Sequence, residues 1–357
     1  MNRLSILSLA CGMALGVAAM PVLAGPLVPN RVTADATWLF HVDLEAVRNS
    51  PFGARLVSNE FLAEMHEEMN AVHEDLGIDP IRDIKSITVS GAEEGEDHGL
   101  IVVNATQAVD QAIARIGELV GEYNAITEGT RTIHCWTEGE DDEDGDNDRM
   151  YAYVIQGTDP DDRVIAFCES IEQLRTAMVR LEAPAAGELP PVLQRATPRP
   201  GSFVFFSAQD ISSIVDDQQA AAMLRSADSV YFEAGQDGNE LFAQATLHAP
   251  TDAEATSISQ IITGLTAMGR MVLAEEPRAA ELGGFIDAVR VTADGPLVRL
   301  NFRYDSEAAF QVLSRLADTQ EHEEGNAERA ADPDAAHPQA DGVKVKVKTK
   351  KTQRQPE

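Results

Sequence analysis

One series of apolar runs occurs twice along this chain, and the repetition limits the folds open to it. Trp38–Val42 reads as a strand. Asp43 then caps a helical region with apolar positions at Leu44, Val47, Leu56, Phe61, Leu62, Met65 and Met69, broken near its start by Pro51 and Gly53. Strands around Ile84–Ser90 and Leu100–Asn104 follow, then a helix with Val109, Ile113, Ile116 and Val120 on one face. Thr132–Thr137, Tyr151–Gln156 and Val164–Cys168 read as three more strands, and a helix through Leu174, Met178 and Leu181 closes the series. Residues 182–201 hold five prolines without periodicity, which marks a linker over 184–201. The series then restarts with a strand at Phe203–Phe206 and a helix capped by Asp210 through Ile211, Ile214 and Met223. Strands near Ser229–Glu233 and Leu241–Leu247 meet at Asp237-Gly238, and those at Ala288–Thr292 and Leu297–Phe302 meet at Asp294-Gly295. A long helix over Asp252–Leu273 lies between these pairs, and Ser306–Leu316 is the closing helix.

The pattern predicts an α+β fold of two related domains, residues 30–183 and 202–318. Each is expected to be an antiparallel sheet with helices packed on one face, consistent with internal duplication. Ser86–Ser90 can be laid on Ser229–Glu233, and Asp43 on Asp210. Thr132–Thr137 and the acid run behind it, near 131–149, are then an insertion in the first half.

The ends indicate where such a chain works. Met1-Asn2-Arg3, an apolar stretch from Leu4 to about Met20, and small residues at Val22 and Ala24 form a signal peptide cleaved after Ala24. Lipidation at Cys11 is the alternative, with Ser8 standing where a lipoprotein signal calls for Leu. The chain is expected to be exported, periplasmic or extracellular, with no transmembrane anchor after processing. Its formal charge of −31 argues against nucleic acid and anionic lipid as partners. Lys85 is the single lysine of the body; the other five lie between Lys344 and Lys351. The tail from 319 is acidic, then basic, and its composition predicts disorder. The basic arm is expected to contact an anionic partner or the protein's own acidic loop.

That loop is the candidate metal site. Glu138–Asp148 contains eight carboxylates. Setting Gly145 at position six of a calcium loop places Glu140, Asp142, Asp144, Asp146 and Asp148 at positions one, three, five, seven and nine. Asn147 then stands where an apolar residue is needed, and Tyr151 where a bidentate carboxylate is needed. The loop therefore predicts weak calcium binding at most, with no other cofactor. His66 and His73 are seven apart on a helix, too far along the axis to share one zinc ion. His134 and Cys135 are adjacent on a strand and point to opposite faces, which excludes a nucleophile–base pair. His41 and Asp43 share a strand face, but Ala208 stands where a duplicated site would repeat the histidine. Cys135 and Cys168 are expected to be free thiols if their strands flank a third. Asn104-Ala105-Thr106 matches a glycosylation triplet. No catalytic residue is assigned.

The segments VDLEAV (Val42–Val47), LGIDPIRDIKSIT (Leu76–Thr88) and RVIAFCESIEQLRTA (Arg163–Ala177) resemble a loose family of uncharacterised exported bacterial proteins, planctomycete type, with duplicated α+β halves. The resemblance covers most of residues 30–318 and implies the fold; the family supplies no activity, so no residue inherits a role. The expectation is a non-enzymatic exported protein with a binding or envelope-assembly role. The alternatives are a calcium-responsive surface protein acting through its acidic loops, including Glu93–Asp97, and a hydrolase without a recognisable motif.

Overall fold

The first strand ends at a carboxylate, and that residue sets the first helix. Asp43 Oδ1 accepts the Ala46 N–H at 2.9 Å, so β1 (Trp38–Asp43) passes directly into α1 (Leu44–Asn49). Pro51 has no N–H to continue α1, and α2 (Pro51–Val57) starts anew. Gly53 lets the two helices close up; a Cβ there would stand 2.3 Å from the Val47 carbonyl oxygen. The chain continues through α3 (Ala63–Leu76) and α4 (Pro80–Asp83), which Asp79 caps. Then come β2 (Ile84–Gly91), β3 (Leu100–Thr106), α5 (Val109–Leu119), β4 (Tyr123–Glu128), β5 (Arg131–Thr137), β6 (Arg149–Gln156), β7 (Asp162–Cys168) and α6 (Ile171–Glu182). The second half holds α7 (Pro191–Gln194), β8 (Ser202–Gln209), β9 (Ser229–Asp237), β10 (Glu240–His248), α8 (Asp252–Glu275), α9 (Gly283–Ala288), β11 (Val289–Asp294) and β12 (Leu297–Asp305), then α10 over residues 306–315.

The structure is a computed structural model and describes residues 27–57, 63–92, 99–120, 122–137, 149–157, 159–183, 189–209, 227–275 and 282–315. The chain to Val312 gathers into one compact unit. Leu313–Glu357 form another, of which the last residues of α10 are described. Among the described residues, no helix is long and apolar enough to cross a membrane.

The twelve strands among the described residues belong to one antiparallel sheet, in the order β11-β12-β10-β9-β8-β1-β2-β3-β7-β6-β5-β4. The α+β class and the antiparallel pairing expected from the pattern are therefore present. The halves meet where β1 pairs with β8, Trp38 opposite Ala208 and Val42 opposite Val204. Outward from that seam the strand order is the same in each half: β1-β2-β3-β7-β6 on one side and β8-β9-β10-β12-β11 on the other. The β4–β5 pair extends the first half at its outer edge. Gly238 and Gly295, at φ +61° and +57°, make the two hairpin turns that Asp-Gly announced.

Directly paired residues share a sheet face, so the ladders sort every side chain. On one face, α5 buries Val109, Ala112, Ile113 and Ile116 against Ile87, Ile101, Val103 and Ile165, with α3 alongside. On that same face of the second half, α8 covers Leu247 and Val298, and Phe285 of α9 stacks on Tyr304 at 4.5 Å. The first half carries a further layer on the opposite face. There α6 buries Leu174, Ala177, Met178 and Leu181 against Val102, Ile133, Val164 and Ala166. Each such large side chain contributes about 1.5–3 kcal/mol. Beside it, Val192 and Leu193 of α7 sink into Val32, Ala36, Leu39 and Phe205.

Two features go beyond the sequence pattern. β4 was not foreseen, because its burial is mostly solvent-facing and leaves no apolar run. The proline-rich stretch is fastened to the sheet from α7 onward: Ser207 Oγ donates to Val192 O at 2.9 Å and Gln209 Nε2 to Pro191 O at 2.7 Å. The helix expected after Asp210 and the acid run 138–148 lie outside the described residues.

Candidate functional site

The residues that drew attention as chemistry are mostly consumed by the fold. His41 and Asp43 do share a face, each 2% exposed. His41 Nδ1 lies 2.9 Å from Thr88 Oγ1, while Asp43 holds the α1 cap. Burial pushes the Asp43 carboxyl up to about 7, against the backbone N–H donors of Ala46 and Glu45. His134 and Cys135 point to opposite faces; Nδ1 of the histidine meets Tyr123 Oη at 2.7 Å. Cys135 and Cys168 are both free, and both are partners of Tyr151 on the strand between them, the spacing that forbids a bond. Cys168 donates to Ser170 O at 3.2 Å, and burial raises its thiol to about 12, so it stays protonated. Asn104 of the glycosylation triplet is 7% exposed and donates to Ser86 Oγ at 2.5 Å. His73 is exposed on α3, and the side chain of His66 lies outside the described set.

Glu140, Asp142, Asp144, Asp146 and Asp148, with Glu93–Asp97, also lie outside the described residues. Among the described residues no group of three or more His, Cys, Asp or Glu is placed to hold a metal ion.

What the sequence reading missed is a sheet face. The side of β9–β12 opposite α8 and α9 carries no helix among the described residues, and its strands present polar side chains to solvent. Its anchor is Glu233, 2% exposed. The carboxylate accepts from Arg199 Nε at 2.6 Å, the Arg199 backbone N–H at 3.1 Å and Ser202 Oγ at 2.6 Å. Burial opposes ionisation of Glu233, but the hydrogen bonds from Ser202, Tyr231 and Arg199 win and hold its pKa below the usual carboxylate value. The Tyr231 hydroxyl is pushed up by burial and by this carboxylate. Arg199 also donates to Gln244 Oε1 at 2.8 Å, and its guanidinium lies 4.2 Å from the centroid of the Phe242 ring. Gly235 permits the crossing of the chain here, since a Cβ would meet the Gly201 carbonyl oxygen at 1.9 Å.

Two cross-strand rows run outward from this anchor. Glu233, Gln244, Asn301 and Arg290 form one; Tyr231, Thr246, Arg299 and Thr292 form the next. Arg299 holds Asp294 only loosely, at 3.6 Å, with both side chains exposed. Arg290 meets no carboxylate among the described residues and donates to the carbonyls of Asp287 and Val289. The surface thus offers guanidinium, amide and hydroxyl donors in strand-spaced rows, and Glu233 keeps Arg199 fixed beneath them. The hydroxyl that Glu233 holds, that of Ser202, is buried with it, and the open rows beside it can hold a ligand. The signal in sequence was the alternation AQATLH in β10 and RLNFRYD in β12, which announces one apolar and one polar face.

No protein-family model and no curated protein matches the chain. Two solved structures, crystal forms I and III of TP0453, are 10% and 12% identical to it, with TM-scores of 0.40 and 0.41. Each alignment covers 82% of this chain and 98% of the other.

Proposed function

We propose that the protein is an exported, non-enzymatic binding protein of the cell envelope or exterior. Its ligand is an acidic polysaccharide laid across the open face of β9–β12. The observation that carries this reading is Arg290 and Arg299 standing among Gln244, Asn301, Thr246 and Thr292 on a solvent-facing sheet. Arginine forks match carboxylate geometry, and amides and hydroxyls match sugar hydroxyls. The export signal supports placing the protein where such polymers occur. The net charge of −31 opposes long-range attraction of a polyanion, so recognition rests on contacts inside one Debye length, about 8 Å at physiological salt.

The test is calorimetric titration with a polyuronate and with neutral dextran of similar length. Saturable binding of the polyuronate is expected, weakening as salt rises. Arg290→Ala and Arg299→Ala should each weaken it about tenfold. Equal binding of dextran, or full binding by the double variant, would end this reading.

A further inference from the structure

The helix on the covered side of the second half leaves a conspicuous surface of its own. The inner side of α8 is seated on the sheet through Ala255 and Ile258, 0% and 2% exposed, with Ile262 alongside. Its outer side bears Ile261, Leu265, Met268, Met271 and Val272 at 47%, 52%, 57%, 62% and 66% exposure. Ile261, Leu265, Met268 and Val272 are spaced four, three and four residues apart, so they form one stripe along three turns. That is the spacing of a seam between two packed helices. Contiguous apolar surface on this scale marks a contact.

We propose that this stripe is the interface of a twofold homodimer, with α8 packed antiparallel on α8 of a second copy. Charge selects the occupant. Two copies of a chain at −31 repel wherever their carboxylates face each other. From Ala255 to Leu273 the helix has one charged residue, Arg270, and that residue is already paired with Asp287 at 2.8 Å. The middle of α8 is therefore a surface on which a like-charged copy can settle without opposing carboxylates. A twofold axis across the stripe makes it self-complementary, each copy's Leu265 lying against the other's Met268. Nothing stands within 4 Å of a Cβ built on Gly264, so the helices can approach closely there. The stripe lies on the sheet face opposite Arg290 and Arg299, so pairing leaves both ligand faces free. A bivalent particle of that kind gains avidity for a polymer.

The experiment is sedimentation equilibrium of the full mature chain over about 1–100 µM, the range in which modest helix-seam interfaces dissociate. The native chain should show twice the monomer mass. Leu265→Glu and Met268→Glu bury unpaired charge in the seam and should weaken association about a hundredfold or more. Val179→Glu, at an equally exposed apolar site on α6, should leave the mass unchanged, with circular dichroism confirming that each variant folds. A monomer throughout the range overturns the proposal. So does a dimer indifferent to both stripe variants, or a monomer that floats with phosphatidylcholine vesicles through the same stripe.

Discussion

Strands β3 and β10 hold the same place in their halves, each third from the seam, yet they are written differently. β3 reads LIVVNAT and is buried along six of its seven residues; β10 reads ELFAQATLH and, from Ala243 on, alternates polar with apolar. The difference is the second helix layer. In the first half α6 covers the face that Leu100 and Val102 occupy, so both faces must be apolar. In the second half the closing helix, α10, packs instead by α2, where Phe310 meets Phe52 edge-on. That exchange leaves the rows of Gln244 and Thr246 open to solvent. One strand order thus supports a half closed on both faces and a half with one open, polar face, and the choice turns on where a single helix docks.

Breaking the covered side should cost most. Leu174→Ala, at a wholly buried position on α6, should lower unfolding stability in urea by about 3–4 kcal/mol. Next comes the anchor of the open side. Glu233→Ala strands Arg199 and should cost about 3 kcal/mol, less than a wholly buried pair because Arg199 is 34% exposed. Because its pKa is lowered in the folded state, Glu233 stabilises above about pH 4.5 and that contribution is lost as pH falls. Glu233→Gln should flatten the acid limb of the stability profile.

At the seam the sign reverses. Asp43 is raised from 3.8 to about 7 on folding, so the folded state holds its proton and stability falls as pH rises between those values. Asp43→Asn keeps a good cap without the charge and should remove that fall, seen as a flat stability profile between pH 4 and 8. Smallest of all, Thr246→Ala should shift stability by less than about 0.5 kcal/mol. A loss as large as that of Leu174→Ala would show the open face to be covered after all.

Much of this contrast is legible in the residues. Period-two and period-3.6 patterns identified eleven of the twelve strands among the described residues, and Asp-Gly located two hairpins. β4 escaped because an edge strand exposed on both sides has no apolar signature. The alignment of the halves slipped by one residue at its first strand. Asp43 faces Ser86 and Gln209 faces Ser229, so Gln209, not Asp210, takes the place of Asp43 once Ser86 is laid on Ser229. A register irregularity between Ser202 and Val204 lies in that strand. The anchor of the open polar face was hidden for a different reason. Arg199 lies in a stretch that composition marks as a linker, and Glu233 in a strand, 34 residues away in sequence. Only the crossing over Gly235 brings them together.

The pairing of β1 with β8 has a consequence for how the molecule is made. Trp38 and Ala208 are neighbours in the sheet but about 170 residues apart in the chain. Contacts of such long range close late, because the intervening loop must first lose its freedom. Until β8 arrives, a nascent first half presents β1 as an unpaired edge, with Leu39 lacking the Phe205 contact that β8 brings. Another copy's β8 would satisfy that edge equally well. Slow addition of the second half during synthesis therefore favours strand exchange between chains, and prompt arrival of β8 disfavours it.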